Sequence, residues 1–532
     1  MFQCQNGIYF QVRCIFVVLP VLQAAMTKSS NDTIKKKSHD DDDDGIALPQ
    51  TKKRKGMNVS KELLEYYKDH DVEGIVDYLN HKGGIRFIRL STNFPQEETL
   101  ELLQQELLQH HQKQSSIPVC PTPVKWLDSK LQFYAIPHQF PLQSSNVYRT
   151  GRVYGMDVSS GASIQALLLH LPPSENNTTL KVLDLCCAPG LKTSTIVDIL
   201  QTEKQKSEII GVDISHSRIH LCKQILQKYH VQSNNNNHHD ASHGNEKNDR
   251  NDQSPSLINV QLFHTDGTTF GCCNNNNNND TKWKQSCIWD MNIAKQQNCI
   301  TSKRKRQNKS ARARQQKQLR QLSLPSTFEN YFHRVLVDAE CSTDGALKHH
   351  HQQYSITNKN NNNKNNNIVL NNEKLLNPQE LEKLTSLQKQ LILNGYRLLR
   401  PGGTLLYSTC SLSSQQNEDV VSWLLQEYPN EAYIISLENV FSPCHMDEKE
   451  KQKITMSSKL HGTLLFHPQI LPHDDMELYE TDGKSMESIV KLSNTKSTNE
   501  KQRYYSQSIL YGGGFYMAKI GKRNNHRFKI AE

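Results

Sequence analysis

Apolar residues in this chain fall into short, well-patterned groups separated by long polar stretches. Residues 1–58 show no sustained amphipathic period and read as a disordered leader. From Ser60 the pattern becomes regular. Lys61 to Leu79 has helical spacing, Ile85 to Leu90 alternates as a strand does, and Glu97 to Gln109 carries leucines at 100, 102, 103, 107 and 108 on one amphipathic run. Trp126, Phe133 and Tyr134 follow between Pro118 and Pro141. Together these predict a small α+β domain over 59–147.

Beyond it, apolar strands alternate with helices. Strands are expected at Lys181–Leu185, Glu208–Val212, Val260–Phe263, His333–Val337 and Gly403–Tyr407, with a late one at Gly514–Ile520. Helices are expected at Thr193–Leu200, Ser217–Tyr229 and Pro378–Leu399. Such alternation gives a doubly wound, parallel α/β sheet, here over 148–522 with a tail at 523–532. Three Asn-rich inserts interrupt it, near 232–256, 271–327 and 350–375. Tracts of this composition bury too little apolar area to offset chain entropy, so disordered loops are expected. The middle insert carries Lys303 to Arg306 with Arg312, Arg314 and Arg320. Two readings stand for it, a passive insert, which we prefer, and a basic clamp for RNA.

Composition agrees with that division. Apolar residues make up 36% of 532, and the mean hydropathy is −0.69, low for one compact globule. Net charge is +9 with a pI near 8.8, a balance that suits a phosphate-bearing partner. The thirteen cysteines form no recurring CxxC pair, which argues against a zinc ribbon or a disulfide framework and for a reducing compartment. No metal and no membrane span are expected. Cys14 to Met26 is apolar but short for a bilayer, and reads either as a presequence or as an upstream extension of a chain starting at Met26. Lys52 to Lys55 can serve nuclear import or be a solvated tail. A nuclear or nucleolar location is favoured, with an organelle as the alternative.

The strongest chemical signal is Val182 to Thr193 (VLDLCCAPGLKT), a strand running through a Pro-Gly loop into a helix. Such a loop brings backbone amides close to a ligand, and the three spaced glycines of a dinucleotide site are missing. The candidate cofactor contacts are Cys186, Cys187, Ala188, Pro189, Gly190, Leu191 and Lys192 in this loop. Asp213 ends the second strand, where an acid can accept hydrogen bonds from both ribose hydroxyls of an adenosine cofactor, and Arg218 lies about one helical turn on. Asp266, after the third strand, can receive the adenine amino group. The fourth strand runs into Asp338-Ala339-Glu340-Cys341-Ser342 and the fifth into Ser408-Thr409-Cys410-Ser411. If these two strands are neighbours, at roughly 5 Å spacing, their tip cysteines share one cleft. A helix expected after Asn417 would lower the Cys410 thiol pKa through its N-terminal field.

The order of these segments resembles the Sun/Nop family of RNA 5-methylcytosine methyltransferases. Cys186 to Lys192 matches that family's CxAPGxK loop, Thr409-Cys410-Ser411 its TCS element with Arg400-Pro401-Gly402-Gly403 ahead of it, and Gly513 to Lys519 its closing GFFxAK strand. Met156 to Ser160 is a looser echo of its QDxAS segment, and the leading domain with Arg86-Phe87-Ile88-Arg89-Leu90 resembles its RNA-contacting N-terminal domain. The resemblance covers roughly 350 residues. It departs at Asp338 to Gly345 (DAECSTDG), where Glu340 replaces a proline and Thr343 a glycine, and more mildly at Leu191. It implies a class I S-adenosyl-L-methionine-dependent methyltransferase domain with a mainly parallel seven-stranded sheet, and an RNA substrate, ribosomal or transfer, handled by a monomer. It also implies roles. Cys410 would add to carbon 6 of an unpaired or flipped cytosine, Cys341 would help release the product, and Asp338 would hold the base and lie by the cofactor. The roles of the two cysteines could be exchanged. A reading of another class is a non-catalytic RNA-binding assembly factor, with Glu340 as its support.

Overall fold

The structure, a computed structural model, describes residues 58–70, 72, 85–111, 120–168, 178–231, 257–272, 282–300, 309–346, 369–370, 372–438, 440–441, 454–456, 459–466, 478–481, 502–505 and 513–524. The leader expected over 1–58 (Asn58 apart), the insert at 232–256, most of that at 350–375 and most of the tail at 523–532 lie outside these residues.

The first helix, α1 (Lys61–Asp69), is capped by the Ser60 side chain, which accepts from the Leu63 amide. A four-stranded antiparallel sheet follows, built from β1 (Ile85–Leu90), β2 (Thr122–Pro123), β3 (Phe133–Pro137) and β4 (Val153–Gly155) in the order β2-β3-β1-β4, with α2 (Gln96–His111) after β1. One face of this sheet holds Ile88, Leu90 and Tyr134 against Leu100, Leu103 and Leu107 of α2. The other face, with Ile85, Phe87, Phe133 and Tyr154, belongs to the core of the main sheet.

That division corrects the expected boundary at 147. β4 lies beyond it and completes the small sheet, while α1 leaves it and packs through Leu63 and Tyr67 against Leu375 and Leu412. The small sheet therefore shares a core with the larger unit instead of standing before it. Arg89, in the segment expected to face RNA, is fully buried, and its guanidinium pairs with Asp198 and Tyr154.

After α3 (Val158–Leu168) come β5 (Leu180–Asp184), α4 (Leu191–Thr202), β6 (Ser207–Asp213), α5 (His216–Leu226) and β7 (Ile258–His264). Then follow β8 (Cys287–Asp290), α6 (Met291–Ile300), α7 (Lys309–Arg320) and β9 (Phe332–Asp338). The chain closes with α8 (Pro378–Leu398), β10 (Leu399–Thr409), α9 (Glu418–Glu427), β11 (Ala432–Ile434), β12 (Ile454–Met456), β13 (Leu464–Phe466) and β14 (Phe515–Lys522). A separate hairpin pairs 478–481 with 502–505.

Ten strands form one sheet in the order β12-β13-β14-β10-β9-β5-β6-β7-β8, with β11 also on β14. Five of them, β10-β9-β5-β6-β7, are parallel, and β14 enters antiparallel beside β10. Alternate residues explain the two covered faces. Val182, Ile209, Val260, Leu336 and Leu406 point into one core, and Leu183, Ile210, Phe263, Val335 and Leu405 into the other.

The seven-stranded, doubly wound methyltransferase sheet is present as β7-β6-β5-β9-β10-β14-β11. β8 extends one edge, and β12-β13 extend the other. β8 corrects the reading of 271–327 as one disordered insert. Trp289 is fully buried in β8 and Trp283 packs on Phe263, Phe270 and Phe328, so a few aromatic residues order a stretch that its polar average hides. Within the third insert, Val369–Leu370 pairs in parallel with Asn58–Val59, and Leu375 is buried.

Candidate active site

Side chains at the carboxyl ends of parallel strands converge, and here those of β5, β6, β9 and β10 do so. The loop after β5 is held from both sides. The Leu185 amide donates to Leu336 O (2.9 Å) and the Cys187 amide to Val212 O (2.9 Å). The Ala188 amide donates to Asp213 Oδ2 (3.3 Å), and Arg218 Nη2 donates to Ala188 O (2.8 Å). Asp213 also receives the Ser215 amide on Oδ1 (2.8 Å). Asp213 and Arg218, expected as ligand contacts, thus brace the loop that would hold the ligand.

Pro189 is exposed and Leu191 half-buried at the first turn of α4. Gly190 has φ +106°, and a Cβ there would lie 2.7 Å from Cys222 Sγ and 2.9 Å from its Cα. Glycine is required on both counts. The buried Cys187 thiol and that of Cys186 are pushed well up by desolvation, with Cys222 adding to the first and neighbouring carboxylates to the second. Asp266 is exposed and caps its own turn, its Oδ1 accepting from Thr268 N and Oγ1 (2.8 Å each). No hydrogen bond or ion pair among the described residues joins its side chain to the other candidates.

β9 and β10 are parallel neighbours with Asp338 opposite Ser408. Their tips bring the two expected cysteines together, with Cys341 Sγ and Cys410 Sγ 3.0 Å apart and both thiols free. Asp338 accepts on both oxygens, from Lys192 Nζ (2.7 Å) and Ser408 Oγ (2.7 Å). Burial works against the charge on Lys192, but the Asp338 carboxylate outweighs it and the amine stays above its ordinary pKa. The Cys410 thiol is pushed well above its usual range by its contact with Cys341 and by burial, with the Asp338 and Asp344 charges adding to this. The expected lowering by a helix N-terminus is therefore corrected. α9 begins only at Glu418, behind an intervening turn, and two carboxylates act on Cys410 in the opposite sense. Glu340 turns outward to pair with Lys374 (2.6 Å), and its side chain is half exposed.

Beneath the cysteines lies a buried polar network that the sequence reading missed. Asp344, fully buried, accepts from Ser342 Oγ on Oδ1 and from both Tyr66 OH (2.8 Å) and the Leu412 amide (2.8 Å) on Oδ2. Tyr67 OH donates to Asp344 O (2.9 Å). Gln416 ties in by accepting the Ser342 amide on Oε1 (3.0 Å) and donating Nε2 to Ser342 Oγ (2.7 Å). One carboxylate thus fastens the Cys341 loop, the Cys410 loop and α1. Thr343 takes φ +59°, a left-handed conformation that disfavours a β-branched residue, so the glycine expected at this position has a backbone reason. Gly345 closes the joint. Its amide donates to Cys410 O (3.0 Å), and a Cβ on it would meet Gly514 O at 2.7 Å.

Asp184 is a second missed residue. At the tip of β5 it receives Thr193 Oγ1 on Oδ2 (2.7 Å), while its buried Oδ1 has no partner. Burial pushes its carboxyl up to about 7. Asp184, Asp213 and Asp338 all act on the Cys186 thiol, so three carboxylates surround one loop whose nearest cations, Lys192 and Arg218, are already engaged. An orphan carboxylate oxygen in such a cradle fits a cationic ligand. S-Adenosyl-L-methionine, the cofactor of this fold, carries both an ammonium and a sulfonium and meets that requirement. Among the described residues no helix is long and apolar enough to cross a membrane, and no His, Cys, Asp or Glu group is arranged for a metal ion.

The sequence model of the 16S rRNA methyltransferase RsmB/F family matches residues 168–286 and 284–480. The ribosomal RNA small subunit methyltransferase F of Cronobacter sakazakii is 24% identical over 301 residues, 57% of this chain and 40% of the relative. That of Klebsiella pneumoniae is 24% identical over 322 residues, 60% of this chain and 45% of the relative. The chain spans less than half the length of these curated relatives. Among solved structures, NSun6 from Pyrococcus horikoshii with SFG aligns over 88% of this chain and 99% of its own, at 15% identity and a TM-score of 0.43. The chain belongs to the 16S rRNA methyltransferase RsmB/F family.

Proposed function

We propose that this member of the RsmB/F family methylates carbon 5 of cytosine in ribosomal or transfer RNA, with Cys410 as nucleophile and Cys341 as its helper. The observation that carries the reading is the pair of free thiols 3.0 Å apart beside the Lys192–Asp338 ion pair. A methyl transfer to nitrogen or oxygen calls for neither cysteine. Carbon 5 of cytosine is a weak nucleophile until a thiolate adds to carbon 6. Cys410 Sγ forms that bond, and carbon 5 then has enamine character. S-Adenosyl-L-methionine, when bound, supplies an electrophilic methyl group. The carbon 5 proton must then leave with help from Cys341, and the S–C6 bond breaks to return Cys410.

The remaining groups serve this sequence. Asp338 holds the base through its carboxylate, and Lys192 and Ser408 fix that carboxylate in place. Both of its oxygens already accept hydrogen bonds, which favours the hydrogen-bonding role over that of a proton donor. With its pKa raised, Cys410 holds its proton in the resting site, and that proton passes to N3 of the cytosine as the S–C6 bond forms. The base must leave any stack to reach a cleft at strand tips, so unpaired or flipped RNA is the substrate form. The assembly-factor reading leaned on Glu340, whose outward pairing with Lys374 lends it no support. A nuclear or nucleolar location remains part of the proposal.

The test is transfer of label from methyl-labelled S-adenosyl-L-methionine to ribosomal and transfer RNA, followed by nucleoside separation. Label in 5-methylcytidine is expected. Label in another nucleoside, or none, contradicts the reading.

A further inference from the structure

The positive balance of the chain is confined to one segment. Residues 291–328 contain ten Lys and Arg and no Asp or Glu, while the rest of the chain holds 53 basic residues against 54 acidic ones. The described part of this segment includes α7, anchored by buried Leu319 in the core with Trp283 and Phe328. Arg312, Arg314, Lys317 and Arg320 are all exposed on α7. Positions 314, 317 and 320 recur every three residues and form one row, with a rise of about 4.5 Å between neighbours. None of the ion pairs among the described residues engages these four side chains. Like charges in such a row cost helix stability unless an anion faces them.

Position matters as much as charge. α7 packs along β8, the edge strand, which lies four strands from β9 and five from β10, whose tips carry the two cysteines. At strand spacing this is roughly 20–25 Å, within the span of a polynucleotide whose base occupies the cleft. We infer that α7 is a docking surface for the phosphate backbone of the RNA substrate. The inference rests on the RNA reading above and replaces the passive reading of this insert. Phosphate contacts position a nucleic acid without reading its sequence, so α7 governs affinity and reach and leaves the choice of base to the cleft.

The full-length variant R312Q/R314Q/K317Q/R320Q tests it, since glutamine sustains a helix while removing the charges. Affinity for a labelled oligoribonucleotide is measured across a salt series. Each neutralised phosphate contact contributes roughly 0.7–0.9 to the slope of log affinity against log salt, so the slope should fall by about 3. The double variant R314Q/K317Q should lose about half as much. In turnover, KM for RNA should rise while kcat and cofactor affinity stay as in the wild type. An unchanged slope overturns the proposal. So does a fall in kcat at unchanged slope, or an unchanged slope with loss of binding to an acidic polypeptide, which would assign α7 to a protein partner. The slope comes from binding alone, so it decides the docking surface even if wild-type methyl transfer to RNA, which decides the function, is absent.

Discussion

Replacing Tyr66 by Phe removes one hydroxyl far from the cysteines in sequence, and the structure sets the size of the effect. That hydroxyl donates 2.8 Å to Asp344 Oδ2, which also receives the Leu412 amide at 2.8 Å, and the carboxylate is fully buried. A hydrogen bond to a charged group contributes about 1.5–3 kcal/mol, so the tie between α1 and the two cysteine loops should weaken by that amount. If release of α1 limits exposure of the Leu412 amide, its hydrogen exchange should quicken roughly 10- to 150-fold. Exchange measured by mass spectrometry on peptides covering 408–417 reads this directly, with peptides from β5 and β6 as internal controls. Adduct formation by Cys410 should slow in parallel, because Leu412 lies two residues from it. Unchanged exchange at Leu412 would refute the reasoning, and so would an equal increase in β5 and β6.

If the Asp184 carboxylate faces the cation of the cofactor, cofactor affinity should depend on pH. The Asp184 carboxyl, raised to about 7 by burial, is protonated below that pH and ionised above it, and only the ionised form attracts a cation. Calorimetric affinity for S-adenosyl-L-methionine should therefore rise as pH passes from about 6 to about 8 and then level off, and the rise should vanish in Asp184→Asn. A flat wild-type profile would speak against a cation at this carboxylate. Gly190→Ala should weaken cofactor binding at least about tenfold, since the new methyl group meets Cys222 backbone at 2.9 Å on a left-handed residue; wild-type affinity would show that the loop yields freely. Arg89→Met strands the buried carboxylate of Asp198 and should cost about 3–5 kcal/mol in urea denaturation, while Arg89→Met with Asp198→Leu should cost less. Equal losses in the single and double variants would contradict a buried ion pair.

The legible part of the molecule was the part with strong periodicity. The five parallel strands, the loop from Cys186 to Lys192 and the two tip cysteines follow from apolar runs that end at chemically distinctive residues, and strand order then brings them together. Three things were not legible. β8 sits in a segment whose average polarity conceals Trp283 and Trp289, so its composition reads as that of an insert. The partnership of Tyr66 with Asp344 spans 278 residues, and nothing local marks either residue for the other. The sign of the Cys410 shift depends on contact with Cys341 and on burial, with Asp338 and Asp344 adding to it, and the segment that holds these three residues comes beside Cys410 only through the pairing of β9 with β10. Asp184 did leave a trace, as the acidic residue that ends the strand Leu180–Asp184, yet its function depends on burial that only the fold supplies.

The central claim concerns which sulfur attacks the base. It is tested most directly by incubating the chain with RNA containing 5-azacytidine and the cofactor, then counting covalent RNA–protein complexes in the wild type, Cys410→Ala and Cys341→Ala. Complexes are predicted in the wild type and in Cys341→Ala and absent in Cys410→Ala. Complexes retained by Cys410→Ala and lost by Cys341→Ala would contradict the account and exchange the roles of the two thiols.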